Sequence, residues 1–149
     1  MFKHILVPTD GSKLASESAQ AAVRLAAALG ARVTAFFAAP PPTPIIFKSL
    51  RPVGYATPRE HEKMTQKAAD SYLGAVEKAA AAAGVPCERL TVTNDYPADA
   101  IVAAAKKRRC DLIFMASHGR RGFHDSRLGS ETQKVLSDSP IPVLVYRTR

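Results

Sequence analysis

Residues 115–147 read MASHGRRGFHDSRLGSETQKVLSDSPIPVLVYR, and this stretch decides the fold. It begins inside one apolar run, 111–116 (DLIFMA), and ends inside another, 141–146 (IPVLVY). Between them Ser130-Glu131-Thr132-Gln133 has the form of a capping box, which opens a short helix with Val135 and Leu136 expected inside. A strand, a crossover helix and a second strand form the unit that joins parallel neighbours in a sheet. The loop that precedes the helix carries Gly119, Gly122 and Gly129 together with Arg120, Arg121 and Arg127.

The same alternation extends back to the start of the chain. Residues 2–7 (FKHILV) form an apolar run closed by Pro8, and Ser12 is placed to cap a helix. Ala15, Ala19, Ala22, Ala26 and Leu29 recur at helical steps until Gly30 stops them. Residues 32–38 (RVTAFFA) predict a second strand. A proline-rich loop at about 39–57 follows, longer than an ordinary connection and therefore expected to be mobile or functional. Thr57, Pro58 and Glu60 mark a capped helix start. The helix carries Met64, Ala68, Tyr72, Val76, Ala79 and Ala83 on one side and ends at Gly84. Residues 88–93 (ERLTVT) alternate as an edge strand does, and Pro97 opens a helix with Ala98, Ile101, Val102 and Ala105 inward. Five strands alternating with four helices predict a single α/β domain over residues 1–149: a parallel, Rossmann-like sheet with helices on both faces. Ligands of such sheets lie beyond the carboxyl ends of the strands, where the strand order reverses. Two loops therefore matter, the one after the first strand and the one quoted above.

The chemistry of those loops favours an anion. Gly119 and Gly122 allow close backbone approach, and Gly129-Ser130 stands at a helix start, where N–H groups and the helix dipole attract phosphate. No GK[ST] follows the glycines, so this is not a Walker A loop. The competing reading is that Ser130 only caps its helix and the glycines only turn the chain. Asp10, at the end of the first strand, is either a turn residue or an acceptor for a ribose or a base.

ILVPTDGS near the start, MASHGRRG followed by GS, and IPVLVYR at the end together resemble the universal stress protein family along the whole chain. The resemblance implies a dimeric α/β domain with strand order 3-2-1-4-5 and, in one branch of the family, ATP held by a motif G-x2-G-x9-G-[ST]. Gly119, Gly129 and Ser130 match that motif, while Ala116 stands where its first glycine belongs. The same resemblance puts Pro8, Thr9 and Asp10 beside ribose and adenine, Ala38 on the adenine wall, and Met115 just before the motif. Arg120 and Glu131 complete the expected site. Mg²⁺ would be met chiefly by the phosphates of ATP. The expected function is a cytosolic, cytoplasmic stress or signalling module that binds ATP or another adenine nucleotide. The alternative is a dimeric interaction protein without nucleotide, toward which Ala116 leans.

No catalytic set stands out. His118, His124 and Asp125 read as loop residues, no metal spacing occurs, and at most slow incidental ATP hydrolysis is expected. Cys87 and Cys110 stand apart and read as reduced thiols. No apolar run has the length of a membrane helix, and the first residues lack the form of a signal peptide. The net charge of +8 draws attention to Lys106-Lys107-Arg108-Arg109, read here as a solvated helix end; nucleic acid is not an expected partner. The last strand, Pro142-Val143-Leu144-Val145-Tyr146, should lie at the sheet edge and pair with its copy in a homodimer.

Overall fold

The computed structural model describes residues 1–42, 56–119 and 127–147. The elements follow the order β1 (His4–Pro8), α1 (Lys13–Leu29), β2 (Arg32–Ala39), α2 (Pro58–Ala82), β3 (Cys87–Thr93), α3 (Pro97–Lys107), β4 (Leu112–Ala116), α4 (Ser130–Asp138) and β5 (Val143–Tyr146). All four strand pairings are parallel, and the order across the sheet is β3-β2-β1-β4-β5. Most of the proline-rich loop, residues 43–55, lies outside the described residues, as do Arg120, Arg121, Gly122, His124 and Asp125.

Period-2 side-chain alternation divides the core into two layers. Ile5, Val7, Val33, Phe37, Leu112 and Phe114 face α1 and α2. Leu6, Phe36, Ile113 and Met115 face α3 and α4. Strands β1, β2 and β4 therefore bury both faces, which is why their sequences run apolar without a break. β3 is exposed at alternate positions, as its alternating sequence predicts for an edge.

Four expected inward positions differ. Leu29 is 41% exposed, Met64 is 63% exposed and Ala83 is exposed, while α2 buries Ala69, Leu73, Val76 and Ala80. A helix of this length runs ~37 Å and the eight-residue β2 only ~27 Å, so the ends of α2 have no sheet to cover. Leu136 is 42% exposed because Thr132 and Val135 already occupy the inward row of α4, and the next position turns away by about 100°.

The capping pattern divides the helix starts. Ser12 accepts from Ala15 N–H at 3.2 Å, and Thr57 forms a complete capping box with Glu60. At α4 the expected box does not form. Gly129 is the cap residue, Ser130 is already helical, and the glycine has no side chain to offer as a cap. Glu131 instead sends its carboxylate to Ala98 N–H at 2.9 Å, capping the start of α3, where Tyr96 offers no side-chain bond. The tertiary neighbour outcompetes the local pattern.

Candidate functional site

The chain leaves β1 toward β2 on one side and β4 toward β5 on the other, so their carboxyl ends flank the point where the winding direction reverses. Thr9 N–H donates to the Phe36 carbonyl at 2.9 Å and ties the first loop to β2. Thr9 Oγ1 accepts from Gly11 N–H at 3.2 Å, and Asp10 Oδ1 accepts from Ser12 N–H at 2.9 Å. Asp10 is thus a turn residue, as one of its two readings held, but the turn also aims it across the rim. A Cβ built on Gly119 would stand 2.5 Å from Asp10 Oδ2. The two loops singled out in the sequence meet at that contact, which only a glycine at 119 permits.

The loop rests on Tyr72 of α2. Gly11 has φ +79°, and a side chain there would overlap the Tyr72 ring. Tyr72 in turn sits edge-on to Phe37, with centroids 5.2 Å apart and planes at 84°. Nothing local to 8–12 (PTDGS) indicated this support from a residue sixty positions away.

On the β4 side, Ser117 N–H donates to the Tyr146 carbonyl at 2.9 Å, and Thr132 Oγ1 donates to the Ala116 carbonyl at 3.0 Å. Thr132 is 2% exposed and anchors α4 directly to the end of β4, a role its sequence position did not signal. Gly129 N–H donates to the Ser117 carbonyl at 2.8 Å. The expectation that this N–H stands open for phosphate is therefore corrected: it closes the loop on itself. The N–H groups of Ser130, Glu131 and Thr132 begin the helix and have no acceptor within it, and Gln133 N–H is the first to find one, the Gly129 carbonyl at 3.0 Å. Gly129 lies close under the loop, since a Cβ there would come within 3.0 Å of His118 Cα and Cβ. Pro8, Asp10 and Ala38 are half-buried, whereas Thr9, Met115 and Ala116 are buried and Gly119, Ser130 and Glu131 are exposed. Ala38 and Met115 belong to the α3/α4 side of the sheet. Arg120 is outside the described residues.

The two cysteines lie at the other end of the sheet, where β3 and β4 begin, and neither is an activated nucleophile. Burial raises the Cys110 thiol to about 11, and burial also raises Cys87, so both thiols stay protonated at neutral pH. Among the described residues no group of three or more His, Cys, Asp or Glu could hold a metal ion. Among the same residues no helix is long and apolar enough to cross a membrane.

A parallel α/β sheet with two glycine loops and a helix start at its reversal point is a doubly wound domain. The chain belongs to the universal stress protein family, whose pattern it matches over residues 1–147. It is 34% identical to a universal stress protein of Thermus aquaticus, over 99% of this chain and all of that one. A universal stress protein solved in complex with cAMP is 26% identical and superimposes with a TM-score of 0.72 over 99% of each chain. The protein from Archaeoglobus fulgidus in complex with dAMP shares the fold, with a TM-score of 0.67 at 17% identity over 99% of this chain and 98% of that one.

Proposed function

We propose that this protein is a nucleotide-responsive stress module that binds ATP at the carboxyl end of its sheet. The observation that carries the reading is the meeting of the two loops, with Asp10 held against Gly119 beside the open start of α4. Pro8, Thr9, Asp10 and Ala38 line the adenosine end, followed by Met115 and Ala116. Gly119, Ser130 and Glu131 surround the phosphates, which carry Mg²⁺. Gly129 serves by letting the loop close. Glu131 contributes its N–H, since its carboxylate caps α3. The relative solved with cAMP supports an adenine nucleotide as the ligand class. Occupancy then alters the loop and the surface that partners read; the protein acts by binding, not by turnover.

Isothermal titration tests this. The native protein should bind ATP, and Gly119→Val should bind at least tenfold more weakly, because the new side chain displaces the Asp10 carboxylate. The clash is with the end of a flexible side chain, so the fold should survive. Equal affinity in a folded variant would overturn the placement.

A second reading, a dimeric interaction protein without nucleotide, is favoured by Ala116 and by the engaged Gly129 N–H. It predicts no adenine nucleotide in mass spectra of the gently purified protein and no heat on titration. Either reading keeps the homodimer, which we infer at β5: an edge strand with Leu144 exposed and Val143, Val145 and Tyr146 half-buried. The Val143→Lys/Val145→Lys double variant should sediment as a folded monomer. An undisturbed dimer would move the contact elsewhere.

A further inference from the structure

The amino end of the sheet, opposite the proposed nucleotide site, gathers the basic residues that the sequence scatters. Lys3 precedes β1, Arg32 opens β2 beside His4, and Lys106, Lys107, Arg108 and Arg109 close α3. The chain then returns to the same end, since Asp111 N–H donates to the His4 carbonyl at 2.9 Å and Arg32 N–H to the Lys3 carbonyl at 3.0 Å. All of these cations are exposed except Arg108, which is half-buried. Two carboxylates lie among them, and both are engaged. Asp111 accepts the N–H groups of Lys3 and His4, and Glu88 accepts the Thr34 hydroxyl and lies 3.7 Å from Arg108.

Compensation of the helix dipole does not account for the cluster. None of α1, α2 and α4 has a basic residue in its last turn, so the fold does not require one; α3 has Lys106 and Lys107. The turn after the helix makes a sharper point. α1 and α2 are each followed by a glycine in the left-handed region, Gly30 at φ +66° and Gly84 at φ +69°. α3 is followed there by Arg109, at φ +56°, where glycine would be unstrained. A strained arginine in a cationic rim is a positioned charge.

We propose that this rim is a binding surface for the phosphate backbone of duplex nucleic acid, read without regard to sequence. The cations stand at the ends of a sheet and a helix, which fix their backbone positions relative to one another. Strand and layer spacings put that array at about 15 Å across, over which a duplex presents on the order of nine phosphates. No aromatic residue interrupts Lys106–Arg109, and Phe2 beside Lys3 packs against the core, so unpaired bases have no stacking platform. The exposed apolar residues at this end, Met1 and Leu29, belong to separate elements and not to one helix face, which insertion into a lipid surface would require. The assignment revises the sequence expectation of a merely solvated helix end.

The test is fluorescence anisotropy of a labelled 20-base-pair duplex against salt, with the full chain. About five phosphate contacts would give a log–log salt slope near −4.5, a roughly 500-fold loss of affinity between 50 and 200 mM. Lys106→Gln/Lys107→Gln should make the slope shallower by about 2. Arg109→Gly should weaken binding while raising the melting temperature, a combination that a structural role for the arginine does not produce. Unchanged slopes in these variants would overturn the proposal. So would tighter, rim-dependent binding to vesicles containing phosphatidylserine than to the duplex, or duplex binding that Arg127→Gln abolishes and the rim variants do not.

Discussion

At the carboxyl pole of the sheet, glycines 11, 119 and 129 bring loops into contact with a tyrosine ring, a carboxylate and a neighbouring backbone. At the amino pole the corresponding space is filled by side chains that bond one another. His4, 4% exposed, approaches Thr34 Oγ1 at 2.7 Å, and Thr34, fully buried, donates to Glu88 at 2.9 Å. Because the threonine proton goes to the carboxylate, the histidine must donate to the hydroxyl, which puts its proton on Nε2. One pole keeps backbone and loops open to a ligand; the other locks three adjacent strands with a polar row. The difference teaches that small residues mark where the chain leaves room, and hydrogen-bonded polar rows mark where it does not.

The largest effect should come from filling the room at the first pole. Gly11→Ala adds a methyl group at a left-handed φ, worth ~1–2 kcal/mol, and pushes on the Tyr72 ring, worth a further ~1–3 kcal/mol. We expect urea denaturation to show a loss of about 2–5 kcal/mol; a loss below about 1 kcal/mol would mean that Tyr72 yields freely. Next comes the polar row. Thr34→Val keeps the shape of the side chain but leaves His4 Nε2 without its acceptor and Glu88 without its donor. The expected cost is about 1–3 kcal/mol by the same measurement, and a neutral result would show that His4 and Glu88 re-pair without it.

The smallest effect separates the poles by pH. Burial, and then the charge of Arg32, hold His4 below the usual histidine range. The unfolded chain therefore takes up a proton near pH 6.5 that the folded chain refuses. Stability should fall as pH drops from 7 to 5, and His4→Gln should flatten that slope. Asp111 is also lowered: burial opposes this, but the backbone N–H groups of His4 and Lys3 outweigh it. Its contribution is lost only at more acidic pH, near and below the ordinary carboxylate range, so the two groups are distinguishable. A slope that His4→Gln leaves untouched would assign the dependence to other groups.

Much of this could be read in the chain alone. Every strand and helix appeared in sequence with bounds within about two residues, because period-2 and period-3.6 patterns and the caps at Ser12 and Thr57 are local. Parallel pairing followed from the alternation of strand and helix. The two rim loops followed from where glycines fall after β1 and β4. What remained hidden depends on residues far apart in sequence. Ser130-Glu131-Thr132-Gln133 satisfied the local rule for a box, yet Glu131 found Ala98 and Thr132 found Ala116. A hydrogen bond gains from whichever partner is near in space, and only the packed fold brings those partners near. The seating of Gly11 on Tyr72, the reach of Asp10 to Gly119, the His4–Thr34–Glu88 row and the gathering of six cations at one pole belong to the same class. The amino-acid sequence by itself determined the elements, their order and the places where the chain could open. The tertiary structure alone decided which side chains met there, because contact across a sheet is a property of register and layer packing and is not carried by any local stretch.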